Sequence, residues 1–507
     1  MTARVLMIQG TGSSVGKSII VAALCRIFKQ DGFRVAPYKS QNMSLNSYVT
    51  RDGGEMGRAQ VAQAEAADIE PSVDMNPILL KPEADARSQV VLMGKPTMTV
   101  TAGEYYLHTP DLLLAAEESL NRLRSQYDIV VIEGAGSPAE INLKRCEIVN
   151  MRIAKMAKAP VLLVGDIDKG GVFAQLVGTL ALLDDDEKPY IKGFIINKFR
   201  GDVWLLKPGL DELENITSIP VVGVVPYYHD IFIDEEDSVR RDTPSKAMTD
   251  IDIAVIHLPH ISNSTDFEPL QREDGVTVRY IKHAKDIGNT DLIILPGSKS
   301  TISDFERIRN SGIADAVIRS ARSGVPILGI CGGFQMLGKR IDDPEHTESE
   351  RDSVAGLGLF DVVTKFAKRK TTWQVRAACT CEKGILGGIR NGTISGYEIH
   401  MGETLGDNVS SAFKIISRGN RKSDHLDGAV SNDGNIVGTY IHGLFENVSV
   451  RRCLLLNLRK TKGVRSKMQT LALSKDAEYD KLAALVRSSL DMDMICKITG
   501  LKREQRR

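Results

Sequence analysis

No charge of one sign prevails in this 507-residue sequence: Lys+Arg and Asp+Glu each total 65, so the formal net charge is zero. That leaves no basic surplus to hold a nucleic acid or an anionic membrane surface. No apolar run approaches the roughly 18 residues that a membrane-spanning helix needs. The opening stretch MTARVLMIQGTG meets glycines at once and has no cleavage-site pattern, so a secretory signal is not expected. Cysteine is scarce too. The seven thiols (Cys25, Cys146, Cys331, Cys379, Cys381, Cys453 and Cys496) are scattered and odd in number, which fits a reducing cytoplasm better than a disulfide framework. Neither His257 with His260 nor Cys379 with Cys381 has a second ligand pair at zinc spacing, so no structural metal is expected. Repeats and low-complexity segments are missing, and composition fixes no oligomeric state. What is present is 42% hydrophobic and 26% charged residues, enough for well-buried cores. At roughly 100–200 residues per domain, the length predicts two to four domains.

The first third alternates β-branched runs with helix-length segments. Val5–Gln9, Phe33–Tyr38, Ile129–Glu133, Pro160–Gly165, Ile191–Asn197 and Pro220–Val225 read as strands, and Lys17–Gln30 reads as a helix. Runs of this kind predict a parallel sheet covered on both faces. Residues 234–250 are charged and Ser-rich with little to bury, and read as a linker between residues 1–233 and a second α/β domain, 251–447. That domain opens with strands at Ile251–Leu258, Leu292–Leu295 and Pro326–Ile330 and turns β-rich towards Phe445. Residues 448–507 read as a helical extension with a basic, solvated tail, LKREQRR.

The stretch Gly10-Thr11-Gly12-Ser13-Ser14-Val15-Gly16-Lys17-Ser18 lies between the first strand and the first helix. There the backbone N–H groups of Gly12, Ser13, Val15 and Gly16 are placed to cradle phosphate at a helix N-terminus. Lys17 then meets the terminal phosphates of ATP and Ser18 holds Mg²⁺. A glycine turn with a chance Lys-Ser is the plainer alternative, and Thr11 stands where the usual pattern has glycine. Glu133 ends an apolar strand at the sheet edge where open α/β folds bind ligands, and is placed to share the metal with Ser18.

In Gly329-Ile330-Cys331-Gly332-Gly333-Phe334-Gln335 a cysteine stands among glycines, after a buried strand and before a helix. Such a sharp turn exposes a nucleophile, and the helix N-terminus favours thiolate. Free cysteine is also commonly just buried. The base is His442, ending the run Gly438-Thr439-Tyr440-Ile441-His442, or its competitor His400; spacing alone does not choose. Gly297, in Leu295-Pro296-Gly297-Ser298, and Gly332 are candidate oxyanion donors.

These motifs occur beside four more selective segments: Tyr38-Lys39-Ser40-Gln41-Asn42-Met43-Ser44-Leu45-Asn46-Ser47, Gly54-Glu55-Met56-Gly57-Arg58-Ala59-Gln60, Met75-Asn76-Pro77-Ile78-Leu79-Leu80-Lys81-Pro82, and Gly165-Asp166-Ile167-Asp168-Lys169-Gly170-Gly171-Val172-Phe173-Ala174. With them the chain resembles the cobyric acid synthase family over essentially its whole length. The resemblance implies a dethiobiotin-synthetase-like P-loop ATPase-type domain followed by a class I glutamine amidotransferase-like α/β domain. It implies ATP- and glutamine-dependent amidation, with Mg²⁺, of the b, d, e and g carboxylates of adenosylcobyrinic acid a,c-diamide. By the same resemblance Lys39 supplies a phosphate charge, Glu55 adds a metal oxygen, and Gln41, Asn42 and Asn46 reach the corrin. Where the family often has an aspartate pair, Lys144-Arg145-Cys146-Glu147 stands instead, which leaves Glu147 to orient the substrate. Thr11, in place of a signature lysine, argues against a partner-switching ATPase, and the Ser40–Ser47 segment argues against an a,c-diamide synthase. Triad glutaminases usually carry a glutamate two residues after the histidine, but here that position is Leu444. A Cys331–His442 dyad is therefore expected, its ring oriented by a carbonyl or water, with Glu446 facing elsewhere.

Overall fold

The computed structural model describes residues 2–83, 87–233, 250–389, 392–406, 409–464 and 474–502. The linker, except Asp250, and the tail residues 503–507 lie outside the described residues. Among these, no helix is long and apolar enough to cross a membrane.

Six parallel strands form the first sheet, in the order Val221–Pro226, Ile191–Phe199, Val161–Asp166, Arg4–Gly10, Ile129–Glu133, Val35–Tyr38. The phosphate-loop strand is thus central, and its register sets Ile8 opposite Glu133. Both faces are covered, as unbroken apolar strands require. Ile20, Leu24 and Phe28 of helix Lys17–Gln30 fill one side, and Leu120 and Leu123 of helix Thr109–Gln126 fill the other. Between these strands the chain adds a small sheet of Gln41–Met43, Ile78–Pro82, Arg87–Leu92 and Lys95–Thr101, which periodicity did not reveal.

The second domain has its own six-stranded sheet, in the order Val276–Ile281, Ile251–Ile256, Leu292–Leu295, Ile327–Ile330, Ile436–Thr439, Ala429–Val430. All its pairings are parallel except the last. Beside it the long strands Val363–Cys379 and Thr393–Leu405 pair antiparallel, and Ile441–His442 adds to Thr393–Leu405.

The C-terminal extension divides. Helix Val448–Lys462 buries Leu454, Leu455 and Leu458 in the second domain's core. Helices Lys475–Ser489 and Met492–Thr499 instead return to the first domain, where Leu482, Val486 and Ile495 join the core around helix Lys17–Gln30. The return is close: a Cβ on Gly223 would stand 2.1 Å from the carbonyl oxygen of Ser489, so only glycine fits there. Residues 475–499 are thus part of the first domain's packing and not a separate appendage.

Candidate active site

The phosphate loop turns into its helix at Gly16, whose φ of 103° suits glycine. Lys17 is buried, with Nζ 2.7 Å from the carbonyl of Gly12 and 3.1 Å from that of Gly136. Ser18 Oγ donates to Glu133 Oε1 at 2.8 Å, and Lys39 Nζ stands 2.9 Å from the same oxygen. Gln63 and Gln60 donate to the other carboxylate oxygen at 2.5 and 3.3 Å. Burial would raise the Glu133 pKa, but Lys39 and these donors outweigh it and hold the carboxylate ionised. Ser18 and Glu133 thus present adjacent hard oxygens, a donor set that suits Mg²⁺, and the Lys39 ammonium shows that the spot accommodates positive charge. Lys198, which the sequence did not single out, bridges the Ser14 carbonyl at 2.6 Å and Asp166 at 2.8 Å. Asn197 holds the Val15 carbonyl at 2.8 Å, while Ser13 is exposed at the loop's tip.

Five expectations need correction. Glu55 is fully buried between Lys81 and Lys370, each 2.5 Å away, so its oxygens serve two ammonium groups and not a metal. Glu147 caps a backbone turn, accepting from the N–H groups of Val149, Asn150 and Arg152 at 2.7–2.8 Å, so both its oxygens serve the local backbone. Gln41 accepts from the Tyr105 hydroxyl, and Asn42 is buried against Gln60 at 3.0 Å. Asn46 faces the second domain, accepting from the Ser264 N–H at 2.8 Å.

Cys331 sits at φ 52° and ψ −111° between strand Ile327–Ile330 and the short helix Gly332–Leu337, a backbone position that few residues other than glycine adopt. The turn closes because position 333 is glycine: a Cβ there would stand 1.9 Å from the Leu295 carbonyl. The thiol donates to the Ile399 carbonyl at 3.4 Å and stands near enough to the His442 ring to favour its charged form. Gly297 and Gly332 border the same space: a Cβ on Gly297 would meet His442 Cε1 at 3.0 Å, and one on Gly332 would meet the Ser298 nitrogen at 2.9 Å. The competitor His400 stacks on Tyr440 and is pushed down to about 3 by burial, so it stays neutral.

The expected dyad is wrong. Asp266, in the turn Ser264–Phe267, places Oδ2 2.6 Å from His442 Nδ1, and its Oδ1 accepts from the Gly443 N–H at 2.9 Å. Burial lowers the ring's pKa, yet the carboxylate and the thiol raise it further, to about 10. Leu444 is core, and Glu446 instead pairs with Arg58 at 2.9 Å and Lys475 at 3.3 Å. The acid arrives from another strand–turn unit, so the pattern after the histidine carried no sign of it. The arrangement matches a Cys–His–Asp triad, able to attack an amide and protonate the leaving nitrogen.

Around Cys331 a small pocket is lined by Ser298, Lys299, Gln335, Glu348 and, from the first domain, Lys81. Glu348 accepts from the Thr301 N–H at 2.8 Å, and desolvation pushes its carboxyl up to about 8 against the pull of Lys299. Lys299 in turn pairs across the domain boundary with Glu83 at 2.6 Å. A larger cleft of about 460 Å³, bordered by Arg51, Arg376 and Glu446, includes neither Cys331 nor the phosphate loop.

Residues 6–239 match the CobQ/CobB/MinD/ParA nucleotide binding domain, and residues 252–450 match the CobB/CobQ-like glutamine amidotransferase domain. The chain is 56% identical over 498 residues to the cobyric acid synthase of Dehalococcoides mccartyi strain CBDB1, covering 98% of this chain and 99% of that protein. It is 53% identical over 520 aligned residues to that of Sorangium cellulosum, covering 99% of this chain and all of that one. The Thermoanaerobacter sp. strain X514 protein of the same name is 52% identical, over 97% and 98% of the two chains. Sharing more than half its residues from end to end with these proteins, and matching both domain types, the chain belongs to the cobyric acid synthase family.

Proposed function

We propose that the chain makes amides on a corrin from ATP and glutamine, with the glutaminase step at Cys331 and the activating step at the phosphate loop. The substrate by this reading is adenosylcobyrinic acid a,c-diamide, amidated at b, d, e and g. The Cys331 thiolate attacks the glutamine side-chain amide carbon. His442 protonates the departing nitrogen, ammonia leaves, and water hydrolyses the thioester to glutamate. At the other centre a corrin carboxylate takes the γ-phosphoryl of ATP and ADP leaves; ammonia then displaces phosphate from the acyl phosphate. Both halves are needed. A carboxylate is a poor electrophile until phosphorylated, and ammonia is mostly protonated at neutral pH.

Lys17 and Lys39 supply positive charge to the transferring phosphoryl, and Ser18 and Glu133 are the residues that would hold Mg²⁺, which supplies further charge neutralisation when bound. In the glutamine pocket Glu348 suits the α-ammonium and Lys299 the α-carboxylate, since a zwitterion needs one partner of each sign. The observation that carries the reading is the Cys331–His442–Asp266 geometry, joined to a phosphate loop in a chain of this family. The test is Cys331→Ala. Amide formation from glutamine should be lost while amidation from ammonia at high pH persists, with mass spectrometry counting the amides. Loss with both nitrogen sources would sink the division of labour.

A further inference from the structure

The triad acid stands on a slender support. Asp266 belongs to the single turn Ser264–Phe267, entered through Asn263 at φ 53°. Short 3₁₀ turns of this kind have little rigidity of their own. The turn's own domain holds it through Phe267, buried in the core, and through the Gly443 N–H on Asp266 Oδ1; the remaining grip, on Asn263 and Ser264, comes from the other domain. The Ser264 N–H and hydroxyl both donate to Asn46 Oδ1, at 2.8 and 3.2 Å. Asn263 Oδ1 accepts from the Ser47 N–H at 2.8 Å. All four residues are buried, so water cannot replace these partners.

Asn46 also faces the other way. Its carbonyl accepts from the N–H of Arg58 at 3.0 Å, at the start of helix Arg58–Ala66, and that helix carries Gln60 and Gln63, the donors to Glu133. A single residue therefore joins the helix lining the nucleotide centre to the turn that holds the His442 partner.

We propose that Asn46 is a positioning residue for glutamine hydrolysis: from the nucleotide-binding domain it holds the turn that sets Asp266 against His442. Removing its side-chain oxygen leaves the Ser264 N–H buried without this acceptor, and the turn shifts to find another. Asp266 lies two residues along and moves with it. The residues assigned to the glutamine zwitterion, Lys299 and Glu348, lie on other segments, and of the turn only Asn263 borders the pocket, so the loss falls on kcat far more than on KM. Ammonia-driven amidation bypasses Cys331 and is spared as well.

The proposal rests on the glutaminase reading above, which fails separately if Cys331→Ala still hydrolyses glutamine. The test compares Asn46→Ala and Asn46→Asp in the full chain, measuring kcat and KM for glutamate release and the rate of ammonia-dependent amidation. A displacement of about 1 Å at a catalytic group costs on the order of 100-fold, so Asn46→Ala should lose about that in kcat with KM little changed. Asn46→Asp keeps an oxygen for the Ser264 donors and should recover most of the loss. A wild-type kcat in Asn46→Ala overturns the proposal. So does an Asn46→Asp chain as slow as Asn46→Ala. A parallel fall in ammonia-dependent amidation also overturns it, because Asn46 would then serve the corrin site.

Discussion

Two opposing effects meet at the His442 ring. Burial favours its neutral form, whereas Asp266 at 2.6 Å and the Cys331 thiol favour the charged form and prevail, taking the pKa to about 10. The imidazolium therefore persists at neutral pH, as the proposed protonation of the departing nitrogen requires. In Asp266→Asn that support is gone and the ring's pKa falls. The alkaline limb of the glutaminase kcat/KM profile should then move to lower pH, with kcat reduced on the order of 10²–10⁴-fold at its optimum. An unchanged profile would leave Asp266 with no part in holding the proton. Glu348 calls for a different readout. Burial pushes its carboxyl up to about 8, and a neighbouring ammonium would stabilise its ionised form. Glu348→Gln should raise KM for glutamine with little effect on ammonia-dependent amidation. Equal losses with both nitrogen sources would contradict this.

Among the elements, those framed by local signals are the ones their own residues specify. Helix Lys17–Gln30 and strands Ile129–Glu133 and Leu292–Leu295 have the bounds that apolar periodicity and flanking glycines predict. Helix Lys475–Ser489 is helical as composition suggests, but its partner is the first domain across from helix Lys17–Gln30. Periodicity gives a helix an apolar face and says nothing of what will cover it. Leu482 is wholly buried in that contact, so Leu482→Ala should cost about 2–5 kcal/mol of stability, read as a lower thermal midpoint for the nucleotide-binding domain. A surface substitution such as Lys481→Ala serves as the control and should leave the midpoint in place.

Across the whole molecule ion pairs join the two domains. Glu83 reaches Lys299, Arg58 reaches Glu446, and Glu55 sits between Lys81 of its own domain and Lys370 of the other. Burial alone would raise the Glu55 carboxyl, but the two ammonium groups hold it well below the ordinary carboxylate range. A depressed folded-state pKa means this contribution is complete above the ordinary carboxylate value and is lost as pH falls through the folded one. At neutral pH the carboxylate is ionised, while burial pushes the Lys370 ammonium down to about 8, so the pairing also weakens as pH rises past that value. Glu55→Gln leaves two buried cations without their counter-charge, and breaking a buried pair in this way costs about 3–5 kcal/mol. The expected result is a lower melting temperature at pH 7, with the two domains unfolding in separated transitions. A single transition at the wild-type temperature would show that the domains do not depend on this cluster.

Taken alone, the sequence determined whatever depends on neighbours along the chain. The phosphate loop, the elbow at Cys331, the strand ending at Glu133 and His442 as a base candidate all follow from residue types at short spacing, where glycine, lysine and β-branched runs constrain the backbone directly. Only the tertiary structure decided the partners. Asp266 lies 176 positions before His442, Lys370 lies 315 after Glu55, and Asn46 meets Ser264 across 218 residues. A carboxylate or an amide looks the same in sequence whether it faces a metal, a corrin or a neighbouring domain. Which of these it meets is set by packing over distances at which periodicity carries no signal.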